Sequence, residues 1–378
     1  MPRDPYQYAR DVPRWTSRFP PVRGRGIAQQ VGLFWCAEQR CSAGVESEHM
    51  PEEVAPHIYR LAVPLPDSRL RTVNAYAVLA GNAVRLVDCG WNTPEAYEAL
   101  KLELSVLGPG IGGIREIVVT HIHPDHFGLA GRIAEESGAR VLMHRLDGQL
   151  VGARYADTRA LIDEMEVWLR LNGVPADELA AMAEGSLSML RWVDTRRPDV
   201  LLEGGERLAW EPYRFEVIFT PGHSAGLICL FDRESGVLLS SDHVLQRISP
   251  HVGLHVQSSA DPLGAYMDSL RAVQYLPVST VLPGHGKPFS DLAGRVDQLL
   301  EHHAERLDTI RGALTGGPAT AYDLAARLTW RGAEDGWARL EPFQRRMALT
   351  ETIAHLEHLL TEGRVQREEL DGRVLYST

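Results

Sequence analysis

The chain has 378 residues, 44% of them hydrophobic, and a formal net charge of −11. That length is enough for one large domain with a smaller one beside it. The acidic balance argues against broad nucleic-acid binding, which needs clustered Lys and Arg. No apolar run reaches membrane-spanning length, because the best, 227–241, is broken by Asp232, Arg233 and Glu234, so no membrane association is expected.

Residues 1–49 are rich in Pro, Arg and Gly and show no period. They read as an N-terminal extension: a disordered tail, the product of an upstream start codon, or a segment that Trp15, Phe19, Phe34 and Trp35 partly dock on the domain. The opening Met1-Pro2-Arg3-Asp4-Pro5 has no apolar signal region. Four cysteines are too few for a disulfide framework in a chain this long. Cys89 and Cys229 lie in apolar strand-like runs, and Cys36 and Cys41 lack further ligands for a metal clip. A cytoplasmic protein is expected.

From residue 50 the pattern becomes regular. Strands are predicted at 57–61, 74–79 and 84–87, the last ending at Asp88. A helix over 93–107 places Leu100, Leu104 and Leu107 on one face, with Gly108 beyond it. Strand 115–120, helix 128–137 and strand 140–143 follow. Residues 145–200 are helical, at 160–169 and 176–190, and are expected to lie over one edge of the sheets. Met165, Trp168, Met189 and Trp192 there either line an apolar pocket or pack the helices on the sheet. Strands return over 203–241, then a helix near 262–275 and a strand at 280–282.

The character changes again near 305. Thr320-Ala321-Tyr322-Asp323 suits a helix start. Leu349, Ile353, Leu356 and Leu360 form an amphipathic stripe ending at Gly363. Val365, Leu370, Val374 and Tyr376 suit a short hairpin. Residues 305–378 hold ten Arg, twelve acidic residues and no Lys, which favours a structural module or a pocket wall over a nucleic-acid surface.

The chemistry concentrates in four turns, each following an apolar run. The densest is His121-Ile122-His123-Pro124-Asp125-His126, after Ile117-Val118-Val119 and Thr120. The others are Thr220-Pro221-Gly222-His223, Ser240-Ser241-Asp242-His243 and Leu282-Pro283-Gly284-His285-Gly286. Imidazole and carboxylate are the side chains that hold divalent transition metals, and three imidazoles leave an open position for water. Ligands that follow the last residue of several strands gather at one edge of a rigid scaffold.

These four segments in this order, with Val87-Asp88-Cys89-Gly90 upstream, resemble the metallo-β-lactamase superfamily of dinuclear metal hydrolases over about residues 54–289. The resemblance implies an α+β fold, a four-layer αββα sandwich at 50–304 with 145–200 as a helical lid insertion. Residues 305–378 are similar to the small winged-helix domain of the β-lactamase-like-2 branch. By the same resemblance, His121, His123 and His223 would hold one metal, Asp125, His126 and His285 a second, and Asp242 would bridge both. Two zinc ions are expected, with iron or manganese left open; His rather than Glu at 123 suits zinc hydrolysis better than diiron oxygen chemistry.

The implied reaction is attack by a metal-bridging hydroxide, with Asp125 orienting it. Asp88 either fixes a ligand imidazole from behind or caps the turn before Gly90. His251 and His255, after the bridging carboxylate, are further candidates to reach the pocket. Val244-Leu245-Gln246-Arg247 lacks the Tyr of acyl-homoserine lactonases, and Ile248 to Gly253 lacks the glutathione segment of glyoxalase II. The chain has no room for the extra domain of the long RNA-processing nucleases. The expected substrate is a small-molecule carboxylic ester or thioester, an acyl-CoA among the candidates. The alternatives are a single-strand endoribonuclease, an iron-dependent persulfide dioxygenase-like enzyme and a winged-helix regulator. Oligomeric state leaves no signal in the sequence.

Overall fold

The computed structural model describes residues 50–66, 70–156, 158–190, 192–330 and 336–378, without the side chains of 183–189. The N-terminal extension, Cys36, Cys41 and the Met189 side chain therefore lie outside the described residues.

The first sheet runs in sequence order: β1 (Glu52–Ala55), β2 (Ile58–Pro64), β3 (Thr72–Ala80), β4 (Ala83–Val87), β5 (Ile114–Val119), β6 (Arg140–His144) and β7 (Val200–Leu202). Its first four strands pair antiparallel and the rest parallel. Parallel neighbours need a crossover. Between β4 and β5 it is α1 (Pro94–Val106), opened by Pro94 and by the Thr93 hydroxyl accepting from the Ala96 amide. The β5–β6 crossover holds a single turn, α2 (Pro124–Phe127), and α3 (Ala130–Ser137), stopped by Gly138 in the left-handed region.

Between β6 and β7 lies the helical insertion: α4 (Arg145–Val151), a wide turn over Gly152–Ala156, α5 (Thr158–Leu171) and α6 (Ala176–Leu190). The short α4 was not foreseen in the sequence. The second sheet has the order β12-β11-β10-β9-β8, built from β8 (Arg207–Trp210), β9 (Tyr213–Phe219), β10 (Ile228–Asp232), β11 (Val237–Ser241) and β12 (Thr280–Pro283). Helix α7 (Pro262–Val273) carries the crossover between the parallel β11 and β12.

Three apolar clusters explain the layering. Val78, Val118 and Leu142 of the first sheet meet Phe215, Leu230 and Leu239 of the second, which closes the sandwich. Leu100, Leu104 and Ile133 of α1 and α3 cover the outer face of the first sheet. Leu270, Val296 and Leu299 cover Phe231, Leu238 and Val281 on the outer face of the second. This is the four-layer αββα sandwich that the sequence resemblance implied.

The tail is less separate than its sequence suggests. Helix α8 (Leu292–Ala313) runs straight through the boundary expected at 304/305 and is buried on both sides of it, by Val296 and Leu299 and by Leu307 and Ile310. After it come α9 (Ala321–Arg327), α10 (Pro342–Thr361) and the ribbon β13 (Gln366–Leu370) and β14 (Arg373–Ser377). Leu349, Ile353 and Tyr376 of this tail share one continuous core with Leu169 and Met182 of the insertion and with the second sheet's outer face. Met165 and Trp168 pack against that core as well.

Candidate metal centre

Strands β5, β9, β11 and β12 each stop immediately before a residue of the His/Asp set or the turn that carries it. A strand end held by its neighbours fixes the first residues of the following turn, so the sandwich aims all four turns at one point. The structure brings together all seven residues that the sequence singled out. His121, His123 and His223 form one group, His121, His126 and Asp242 a second, and Asp125, His126 and His285 a third, with the ligand atoms of each group within 4.8 Å of one another.

The spacing is that of donors around shared cations. His123 Nδ1 lies 3.1 Å from His121 Nε2 and 2.9 Å from His223 Nε2. Asp242 lies between the halves, 3.6 Å from His223 Nε2, 3.6 Å from His126 Nε2 and 3.4 Å from His285 Nε2. Asp125 Oδ2 lies 3.3 Å from His285 Nε2 and 3.7 Å from His126 Nε2. Ligands about 2.0–2.1 Å from one tetrahedral ion stand roughly 3.3 Å apart, which this set matches. His126 Nε2 and Asp242 Oδ1 are buried with no hydrogen-bond partner. Such orphaned groups are costly unless an ion satisfies them, so the donor set fits a pair of divalent metals.

The electrostatics divide the cluster. Burial, then the neighbouring imidazoles, hold His121 and His123 well below the ordinary histidine range, and burial lowers His223. All three are therefore neutral, with lone pairs to offer. Burial pulls on His126 and His285 too, but the carboxylates win. Asp88, Asp125 and Asp242 keep His126 well above its ordinary value, and Asp242 and Asp125 push His285 up to about 10. Burial opposes ionisation of Asp125 and Asp242, yet His126 and His285 hold both below the usual carboxylate range.

Outward-facing ring atoms are fixed by protein groups. His126 Nδ1 lies 2.7 Å from Asp88 Oδ2, His223 Nδ1 donates to the His251 carbonyl at 2.6 Å, and His285 Nδ1 donates to the Thr72 carbonyl at 3.2 Å. Asp88 itself sits in the left-handed region at φ 60° and accepts from the Thr120 amide at 2.8 Å and the Thr120 hydroxyl at 2.8 Å. Of the two roles weighed for Asp88, the one seen is the first: it stands behind His126 and also accepts from Thr120 at the entry to the His121–His126 turn. It does not enter the ligand groups, so it is a positioning residue. Gly284 is required by close approach, since a methyl there would lie 2.3 Å from Asp242 Oδ1.

Residues 68–285 match the family described as "Metallo-beta-lactamase superfamily", and residues 307–378 match "Metallo-beta-lactamase-like, C-terminal domain". The chain belongs to the metallo-β-lactamase superfamily. It is 33% identical to the crystal structure of a metallo-beta-lactamase family protein from Thermus thermophilus, with a TM-score of 0.73 over 86% of this chain and 99% of that one. It is 27% identical to "Probable metallo-hydrolase YqjP" of Bacillus subtilis (strain 168), over 81% of this chain and 92% of that protein. A "Beta-lactamase-like protein 2 homolog" of Caenorhabditis elegans is 26% identical over 63% of each.

A narrow cleft opens beside His123 and His223. It differs from the apolar pocket considered in the sequence. Arg154, Ser224, His255, Gln257, Ser258 and Ser259 line it, with Leu150 and Pro262 among the few apolar groups. Met165, Trp168 and Trp192 do not line it, and the first two belong to the core shared with the tail. His255 thus reaches the cleft. His251 contributes its carbonyl to His223, while its ring turns to Glu351 and Thr350, 3.3 Å from each.

Sequence reasoning missed Asp147, which lines the same cleft and accepts from the Ile122 amide, the Ser224 hydroxyl and the Gly226 amide at 2.8, 2.8 and 2.7 Å. It ties the HxHxDH turn to the His223 turn. It also missed Asn74, whose Nδ2 donates to the Pro283 and Gly286 carbonyls at 2.8 and 2.9 Å and holds the His285 turn. No local motif marks either residue. Among the described residues no helix is long and apolar enough to cross a membrane.

Proposed function

We propose that this metal-dependent hydrolase of the metallo-β-lactamase superfamily holds two zinc ions and cleaves a carboxylic ester or thioester. The observation that carries the reading is the back-to-back ligand set, His121/His123/His223 and Asp125/His126/His285, meeting at Asp242. A pair of divalent cations held there supplies acidified water and polarises the carbonyl oxygen. The protein's part is placement. Asp88, Thr72 and the His251 carbonyl lock three imidazoles so that each presents Nε2 inward. Asp125 is the more exposed of the two carboxylates, 20% against 10% for Asp242, and is placed to orient the attacking water. A thiolate leaves without protonation, which suits a site whose imidazoles are committed as ligands. The unpaired thiols of Cys89 and Cys229 suit a reducing, cytoplasmic setting.

The polar cleft with Arg154 favours a second reading, a metal-dependent single-strand endoribonuclease. Against it stand the acidic net charge and the burial of α10, whose Leu349, Ile353, His355 and Leu359 face the protein interior. The tail is accordingly read as a wall of the site. Metal content by plasma mass spectrometry, run beside acyl-CoA thioesters, lactones and single-stranded RNA, separates the readings. Two zincs per chain with thioester cleavage lost in Asp125→Ala supports the first reading, and RNA cleavage alone supports the second. One iron with no hydrolysis removes both and points to persulfide chemistry.

A further inference from the structure

Both backbone polar groups of Ile122 are held by side chains of the helical insertion. Ile122 stands between His121 and His123, and its amide donates to Asp147 Oδ2 at 2.8 Å. Its carbonyl accepts from the Tyr155 hydroxyl. Asp147 lies on α4, and Tyr155 lies in the wide turn over Gly152–Ala156, a local widening of helical geometry that recurs at functional sites. Tyr155 is buried and stacks on Phe127, with ring centroids 6.0 Å apart. The peptide plane that carries the Ile122 amide also carries the Cα of His121, and the plane of the Ile122 carbonyl carries the Cα of His123. Fixing both planes therefore aims both imidazoles.

The same carboxylate reaches the His223 turn. Asp147 Oδ2 also accepts from the Ser224 hydroxyl at 2.8 Å, and Oδ1 accepts from the Gly226 amide at 2.7 Å. That approach demands glycine at 226, because a methyl there would lie 2.7 Å from the Asp147 amide nitrogen. Asp147 is fully buried, so its carboxylate is satisfied only while α4, the His121–His126 turn and the His223 turn keep their places. The other trio is held by different groups: Asp88 stands behind His126, and the Thr72 carbonyl behind His285.

We infer that Asp147 and Tyr155 form a clamp by which the root of the helical insertion positions the His121/His123/His223 trio, so that the insertion and the metal ion held by that trio stabilise each other. Both are positioning residues, since neither belongs to the ligand groups. Coupling between two sites is reciprocal: a clamp that tightens metal binding is itself tightened by the metal, by the same factor. Asp147 and Leu150 of α4 also line the cleft, so the ion helps to fix one of its walls. The inference rests on the metal pair proposed above and is independent of the ester or thioester substrate.

The test is stepwise removal of zinc from the loaded protein by a chromophoric chelator, in wild type, Tyr155→Phe and Asp147→Asn, with thermal melting to establish folding. Tyr155→Phe keeps the ring on Phe127 and removes only the hydroxyl, so it decides the matter even if Asp147→Asn does not fold. The expected result is an affinity for one ion about tenfold weaker in each variant, with the other ion leaving as in wild type. Hydrogen exchange supplies the reciprocal readout. Removing zinc from the wild type should speed exchange over residues 145–156 several-fold while α1 is unchanged, and the acceleration should shrink in Tyr155→Phe. Unchanged affinity for both ions in Tyr155→Phe overturns the clamp and leaves the metal pair standing. Equal weakening of both ions also overturns it, because the clamp acts on one trio. A wild type that takes up fewer than two zinc ions overturns the metal pair, and the clamp with it.

Discussion

The ring of His251 and the carboxylate of Glu351 meet across the two halves of the molecule, with Nδ1 3.3 Å from Oε2. Glu351 belongs to α10 of the tail, and the carbonyl of His251 accepts the Nδ1 proton of candidate ligand His223 at 2.6 Å. Burial opposes its ionisation, but the His251 contact and nearby cations hold the Glu351 carboxyl down to about 2, so it is a carboxylate at any working pH. The tail therefore buttresses a residue of the metal centre.

Replacing Glu351 should loosen that centre without touching its ligands. Partners behind ligand groups typically change metal affinity by about 10–100-fold when removed. With one more residue intervening, Glu351→Gln is expected near the lower end of that range. Competition with a zinc-responsive chelator measures it. Unchanged metal affinity, with only a lowered melting temperature, would mean that the contact serves packing alone.

Asp88→Asn tests the layer directly behind His126. The amide cannot match the carboxylate's charge at 2.7 Å from Nδ1. The expected loss is about 10–100-fold in affinity for the metal held by Asp125, His126 and His285. Stepwise chelation should show one ion leaving early and the other, on His121, His123 and His223, leaving as in wild type. Simultaneous loss of both would place Asp88's influence on the turn as a whole.

The ligand set was legible because each member follows a strand end, so short-range sequence carries its geometry. Tyr155, Asp147 and Glu351 were not, since each acquires its role by meeting a segment far away in the chain. Met165 and Trp168 show the same limit from the apolar side: helical periodicity announces burial but not the surface that covers it. Compositional change near 305 suggested a domain boundary, and the match to the C-terminal domain family begins at 307, but composition gave no sign that α8 carries its apolar face across that point.

That shared core predicts how the molecule unfolds. Leu349 is fully buried among residues of α8, α9, the insertion and the second sheet's outer face. Leu349→Ala should cost about 2–5 kcal/mol, as deletions in close-packed cores do. Because one core serves both parts, the tail and the sandwich should melt in a single transition that moves down together. Calorimetry resolving two transitions, with only one shifted by the substitution, would show that the tail is an independent unit.

Glu103 predicts a pH dependence remote from the metal centre. It lies on α1, fully enclosed, with its carboxylate accepting from the Ala62 amide at 3.1 and 3.3 Å. Burial outweighs that hydrogen bond and the charge of Arg60, raising its pKa from 4.5 to about 7. In this window the folded chain binds more protons than the unfolded one, so the contribution is fully present below about pH 4.5 and is lost as pH rises through 7. Its full size is at most about 3 kcal/mol. Glu103→Gln keeps an acceptor for Ala62 and removes the ionisation. Its melting temperature should match wild type near pH 5 and exceed it increasingly towards pH 8. A difference that stays constant across that range would show that Glu103 is ionised in the folded state throughout.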